Sequence, residues 1–216
     1  MSFWNLNTDF STKEAELYKV LPHSTVNRDL INHSFGSRLA EGLNLNMEKG
    51  PWLAGGAVRK LYLGQSIGES DWDIWFRSAQ QFDIAHKYIA SLGANIAYSS
   101  DNATTFKYYY EGETHQIQLI KRRFFETPND VINQFDFSIC QLLTDGNKLL
   151  LGKTTAQDLE TRTIRLGSDR MQPHVVTRMV KYIVYGYYPT RELAELIEQR
   201  TLDINWKDGQ FDYDAS

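Results

Sequence analysis

The chain has 216 residues, of which 42% are hydrophobic and 23% charged, with a formal net charge of −4; this is typical of a globular protein with a buried core and excludes a polycation that binds nucleic acid over its whole surface. Its single cysteine, Cys140, excludes an internal disulfide, and no Cys/His cluster has the spacing of a zinc site. No apolar run approaches the ~20 residues of a membrane span and no basic leader begins the chain, so we expect a cytoplasmic protein without a membrane segment.

Apolar residues at three-to-four spacing behind Ser or Thr predict two leading helices, over residues 11–21 and 25–43. Alternating apolar residues predict strands in the middle of the chain, over 51–55, 71–76, 94–100, 104–112 and 113–123, with a further hairpin over 136–152 that includes Cys140. Helical spacing recurs over 57–64, 78–93, 127–135, 172–187 and 191–202. Strands in the middle with helices at both ends predict an α+β fold.

A glycine pair, Gly55 and Gly56, lies between the first short strand and the helix that follows it. Glycines at such a position free backbone N–H groups at the positive end of the helix dipole, where phosphate binds. The surrounding residues match neither GxxxxGK[ST] nor GxGxxG. A phosphate site and a plain tight turn both explain the pair.

Two acids, Asp71 and Asp73, begin the strand over 71–76. Residues i and i+2 of a strand point to the same face, so the two carboxylates converge. Their repulsion is relieved by a divalent cation, and Mg²⁺ is commonly bound by one or two carboxylates together with substrate phosphates. The alternative is a solvent-facing strand edge whose aromatic neighbours face inward.

The order of these motifs resembles a known family. Residues 53–64 (LAGGAVRKLYLG) and 70–76 (SDWDIWF) are similar to the GGxVRDxLLG and DxD signatures of the DNA polymerase beta-like nucleotidyltransferase superfamily, in particular the head domain of bacterial poly(A) polymerases and CCA-adding enzymes. Residues 135–167 resemble its RRDFTINAL…DxxGGxxDLxxxxIRxxG segment, and residues 178–187 resemble the start of its helical neck. The resemblance implies N-terminal helices over 1–49, a head domain over 50–168 and a neck-like helical extension over 169–216.

The resemblance also implies roles for individual residues. Five positions match residues that bind the nucleotide in the family: Gly55, Gly56, Arg59, Asp136 and Arg178. Two positions match the catalytic residues, which also bind the metal: Asp71 and Asp73. The implied cofactor is Mg²⁺ or Mn²⁺, and the implied partners are an NTP and an RNA or tRNA-like acceptor. The implied reaction transfers a nucleoside monophosphate to a hydroxyl group and releases pyrophosphate.

Several positions depart from the family pattern. Lys60 replaces the Asp of VRD, and Gln134 and Phe135 replace the two arginines of RRD. Lys181 stands in place of the second arginine of the neck.

The third carboxylate of the family falls on Gln116, with a register uncertain by two residues, and Glu113 or Asp136 could compensate for it. The base-reading EDxxR motif falls on residues 171–175 and loses its three key residues, which predicts relaxed base choice. Two hypotheses remain: a metal-dependent nucleotidyltransferase, and a catalytically impaired relative that binds nucleotide or a macromolecular partner.

Overall fold

The computed structural model describes residues 18–22, 34–67, 70–167 and 174–203. Its helices are α1 (Ser34–Gly42), α2 (Gly56–Tyr62), α3 (Ala79–Ser91), α4 (Pro128–Ile132), a 3₁₀ turn (Ser138–Cys140), α5 (Thr155–Glu160), α6 (Val175–Val184) and α7 (Arg191–Asp203). Its strands are β1 (Tyr18–Pro22), β2 (Trp52–Ala54), β3 (Trp72–Trp75), β4 (Asn95–Ser99), β5 (Ala103–Tyr110), β6 (Glu113–Ile120), β7 (Leu142–Thr144), β8 (Lys148–Gly152), β9 (Thr163–Ile164) and β10 (Tyr188–Pro189).

Eight strands form one mixed sheet in the order β1-β8-β7-β2-β3-β6-β5-β4, and β9 and β10 form a separate parallel pair. Within the large sheet β3 runs parallel to β6, and the other pairs are antiparallel. The predicted α+β class is confirmed. Strand β3 lies between β2 and β6, so the turn that follows β2 and the side chains of β6 are both next to the acid-bearing strand.

Both faces of the sheet are covered by apolar side chains. Trp72 and Ile74 of β3 belong to one buried cluster, together with residues of α1, α2 and α3. Trp75 belongs to a second cluster on the other face, with Trp52 of β2 and residues of α4. Because successive strand residues point to opposite faces, Asp73 shares the face of Trp75 and lies at the margin of this second cluster.

The predicted helix over residues 11–21 is wrong at its end. Residues 18–22 form β1, which pairs antiparallel with β8 from Tyr18–Gly152 to Pro22–Lys148; residues 11–17 lie outside the described part. The edge of β8 that does not pair with β7 offers backbone hydrogen-bond partners to this segment. The helical spacing of residues 11–21 does not reveal this pairing. Pro22 ends a strand that lies at the edge of the sheet, where a missing N–H is tolerated.

The segment around Cys140 also differs from the prediction. Ser138–Cys140 is a 3₁₀ turn, and the hairpin begins only at β7. Cys140 is buried and borders the cleft described below. In the described part of the chain, no helix has the length and apolarity to span a membrane. The cytoplasmic location and the division into three regions stay predictions.

Candidate nucleotide site

The two predicted metal ligands come together at the start of β3. Asp71 directly precedes the strand and Asp73 is its second residue, and both line one cleft of about 890 Å³. Asp73 pairs with Ala54 on β2 and with Gln118 on β6, so its backbone is held from both sides. The Oδ1 atom of Asp73 is buried and accepts no hydrogen bond from the described residues.

Gly55 brings the main chain against the Asp73 carboxylate. Its backbone has φ 87° and ψ −144°, a conformation that is open essentially to glycine alone. A Cβ atom at this position would lie 2.9 Å from Asp73 Oδ2. The Gly55 N–H donates to the carbonyl of Leu142, so this amide is already used within the fold. Gly55 therefore allows the main chain to approach the Asp73 carboxylate closely, in addition to forming the turn.

Gly55→Ala is expected to disrupt the site, whereas Gly56→Ala serves as its matched control. The first change adds backbone strain of about 1–3 kcal/mol and a methyl group in contact with Asp73. The second adds a methyl group with no atom within 4 Å, at a helical position where Ala is favoured over Gly. Thermal unfolding should show a lower melting temperature for Gly55→Ala only. Equal melting temperatures for the two variants would contradict this account of Gly55.

All seven site residues predicted from the sequence line the same cleft: Gly55, Gly56, Arg59, Asp71, Asp73, Asp136 and Arg178. The cleft is walled by the Gly55–Gly56 turn and α2, by the segment before the 3₁₀ turn, by one side of α6 and by the β4–β5 connection. Five cations and three carboxylates line it, although the whole chain has a net charge of −4. This local excess of positive charge favours an anionic ligand.

Burial and repulsion make the acid pair costly without a cation. Burial raises the pKa of Asp73 to about 8, the Asp71 carboxylate adds to that rise, and the ammonium of Lys181 opposes it. Burial also raises the pKa of Asp71, again against the effect of Lys181. A buried carboxyl with a like charge beside it is the arrangement that a divalent cation stabilises.

Asp136 is paired with an arginine of α6. Arg178 Nη1 of α6 donates to Asp136 Oδ2 at 2.5 Å, and this carboxylate is buried. Its other oxygen, Oδ1, is buried and accepts no hydrogen bond from the described residues. The pair links α6 to the sheet side of the cleft, and one carboxylate oxygen remains for a donor on a ligand.

The Arg59 side chain of α2 is buried at the edge of the cleft, with 6% of its surface exposed. Its guanidinium lies 4.7 Å from the centre of the Tyr182 ring and its Nη1 lies 3.9 Å from Cys140 Sγ. The Cys140 thiol donates to the Tyr182 hydroxyl at 3.0 Å. Within the described residues Arg59 forms no ion pair, so an anion in the cleft would be its first charged partner.

The predicted position of the third carboxylate needs a correction. The parallel register of β3 and β6 places Gln118 beside Asp73, and Gln118 lines the cleft whereas Gln116 does not. Gln118 Nε2 donates to Thr105 Oγ1 at 3.4 Å. Glu113 is exposed at the far end of β6. The third carboxylate is absent in both cases, because positions 116 and 118 both carry glutamine.

The EDxxR counterpart is only partly described. Residues 171–173 lie outside the described part of the chain, His174 is exposed and Val175 is buried in the core. Tyr182 also lines the cleft and was not predicted to do so, although it follows Arg178 by one helical turn, the spacing that places two side chains on one face. Arg122 also lines the cleft; it follows β6 within three consecutive basic residues, 121–123, which match none of the motifs compared above.

Solved structures of CCA-adding enzymes and of a tRNA nucleotidyltransferase have a similar fold. The complex of a CCA-adding enzyme with CTP aligns with a TM-score of 0.61 at 16% identity, over 88% of this chain and 47% of that one. The Thermotoga maritima CCA-adding enzyme with tRNA gives 0.60 at 16%, over 88% and 47%. A tRNA nucleotidyltransferase with a primer tRNA and an incoming ATP analogue gives 0.52 at 14%, over 76% and 49%.

These identities show the fold alone, and the chain spans about half the length of the structures it matches. The predicted resemblance to the head domain of CCA-adding enzymes is thereby confirmed as a fold. Residues 25–162 match the sequence model of the Gabija anti-defense 2 family, and the chain belongs to this family. Curated proteins give no match by sequence.

Proposed function

We propose that this protein is a metal-dependent nucleotidyltransferase that moves a nucleoside monophosphate from an NTP to a hydroxyl acceptor and releases pyrophosphate. The observation that carries this proposal is the convergence of Asp71 and Asp73 with the Gly55 turn in a cleft that has an excess of positive charge. The fold, which resembles that of CCA-adding enzymes, supports the same reaction class.

The residues present fit one divalent cation. Asp73 has a buried, unbonded carboxylate oxygen, and Asp71 supplies a second carboxylate at the same end of the strand. Mg²⁺ and Mn²⁺ prefer such oxygen ligands and complete their shell with phosphate oxygens. A bound cation would supply Lewis-acid activation of the acceptor hydroxyl and of the phosphoryl group.

The protein's own residues would bind and orient the nucleotide. Arg59, buried and without a charged partner in the described residues, would bind the triphosphate, with Gly55 and Gly56 beside it as the resemblance implies. Asp136, held by Arg178, would accept a hydrogen bond from the nucleotide through its remaining oxygen. The acceptor would be an RNA end, a small molecule or a protein side chain.

The direct test is pyrophosphate release with Mg²⁺ or Mn²⁺ and each of the four NTPs, in the presence of candidate acceptors. We expect release with more than one NTP, because Val175 is buried and the EDxxR counterpart offers no Asp/Arg pair to fix a single Watson–Crick edge. Asp71→Asn should lose the activity. Strict CTP-then-ATP addition to a tRNA end would contradict the relaxed base choice, and no release under any condition would contradict transfer itself.

A second candidate function is nucleotide or partner binding without transfer, and the glutamine beside Asp73 favours it. A neutral amide at position 118 removes a carboxylate that would assist deprotonation of the acceptor hydroxyl. The family description points to a role against the Gabija defence, and either function could serve it. In cells that carry this defence, Asp73→Asn would abolish the effect if transfer is required and would preserve it if partner binding suffices.

A further inference from the structure

The residue beside Asp73 bears on how many cations the cleft can hold. A two-metal site holds its cations about 3.5–4 Å apart, and two divalent charges at that distance repel each other unless negative ligands lie beside both. Here the adjacent β6 position is Gln118, and Asp136 is already paired with Arg178. Among the described residues, no group of three or more His, Cys, Asp or Glu side chains could hold a metal ion. Of the described carboxylates in the cleft, Asp71 and Asp73 are therefore the two without an ion pair, and a second cation would have to take its further negative ligands from the triphosphate.

A lysine side chain faces the same acids from α6. Lys181 lines the cleft one helical turn after Arg178, and forms no ion pair within 4 Å with any described residue. Its ammonium shares this cleft with the Asp71 and Asp73 carboxylates. A second divalent cation beside these acids would be repelled by this fixed positive charge.

We propose that the cleft holds a single divalent cation per bound NTP, and that Lys181 supplies the positive charge that a second cation provides in a two-metal site. This inference rests on the proposed function, because it concerns the same acids and the same nucleotide. Gln118 places a neutral amide where a carboxylate would bind a second cation. The ammonium of Lys181 repels a second cation and attracts the triphosphate.

The test counts Mn²⁺ ions per chain by electron paramagnetic resonance of free Mn²⁺, with a saturating non-hydrolysable NTP. The parent protein should bind one Mn²⁺. Gln118→Asp places a carboxylate beside Asp73 and should raise the number to two. Gln116→Asp is the matched control, since it makes the same change on the same face of β6 but outside the cleft, and should leave the number at one.

The role of Lys181 is tested by the affinity for Mn²⁺ alone. Lys181→Met removes the competing ammonium and should tighten Mn²⁺ binding several-fold. Lys107→Met, the same change at an exposed position of β5 outside the cleft, should leave the affinity unchanged. Equal affinities in the parent protein and Lys181→Met would overturn the role of the lysine.

The possible counts separate the inference from the function on which it rests. One Mn²⁺ in the parent and two in Gln118→Asp support the inference. Two in the parent overturn the inference but leave a metal-dependent transferase intact. An unchanged count in Gln118→Asp shows that position 118 does not limit the site and also overturns it. No Mn²⁺ in the parent, with NTP present, overturns both.

Discussion

Asp73→Asn is expected to abolish nucleotidyl transfer and at the same time to stabilise the metal-free protein. The carboxyl group of Asp73 has a pKa raised to about 8 by burial and by Asp71, whereas in the unfolded chain it titrates near its ordinary value of about 3.9. Between these two values the folded state binds the proton and the unfolded state does not. The free energy of unfolding therefore falls as the pH rises from about 4 to about 8, by up to ~1.4 kcal/mol per pH unit.

Asparagine keeps the shape of the side chain without this titration. The melting temperature of Asp73→Asn should thus be close to that of the parent near pH 4 and up to roughly 10–20 °C higher near pH 8, since ~1 kcal/mol corresponds to about 2–4 °C in a chain of this size. Adding Mn²⁺ with NTP should raise the melting temperature of the parent only, because a ligand that binds the folded state stabilises it.

An exposed carboxylate provides the control for this change. Asp83 lies on the solvent side of α3, and Asp83→Asn should give neither the pH-dependent gain nor the loss of transfer. Retained transfer in Asp73→Asn, or a stability difference that does not change with pH, would remove Asp73 from the site. If Mn²⁺ with NTP does not change the melting temperature of the parent, the cleft does not bind the metal.

The shared location of the seven predicted residues could be foreseen from the sequence because the segments that carry them follow local rules. The pair Asp71 and Asp73 obeys the two-residue period of a strand, and Gly55 and Gly56 stand at a strand-to-helix turn. The fold then brings these two segments together through β2 and β3, which pair directly. Motif order therefore carried the information needed to place seven residues in one cleft.

The positions that sequence analysis missed depend on register and long-range pairing. Whether Gln116 or Gln118 lies beside Asp73 is set by the parallel pairing of β3 with β6, and both residues satisfy the same alternation. The strand at 18–22 likewise depends on the edge of β8, more than 120 residues later in the chain. Hydrophobic periodicity and residue propensity predict the secondary structure of a segment. They do not identify the strand with which that segment pairs.

Arg59 is the second residue for which a large effect is expected, because its charge is buried without a carboxylate partner in the described residues. A buried guanidinium is costly unless it is paired or stacked. Stacking on Tyr182 contributes about 0.5–2 kcal/mol and fixes the plane of the guanidinium beside the Gly55 turn. The side chain is therefore held in one orientation before an anion arrives, which lowers the cost of ordering it on binding.

Arg59→Met is expected to weaken binding of a non-hydrolysable NTP by about 10- to 150-fold, the range that corresponds to losing a hydrogen bond of about 1.5–3 kcal/mol to a charged group. Isothermal titration calorimetry measures this directly. Arg59→Lys keeps the positive charge but loses the planar guanidinium group. Its affinity for the NTP should therefore lie between that of the parent and that of Arg59→Met. Tyr182→Phe keeps the ring beside Arg59 and loses the hydroxyl, which accepts from Cys140 and is also hydrogen-bonded to Arg59, so its affinity should fall less than that of Arg59→Met. If Arg59→Met binds the NTP as tightly as the parent, the triphosphate does not contact this wall, and the buried arginine serves only to attach α6 to the sheet.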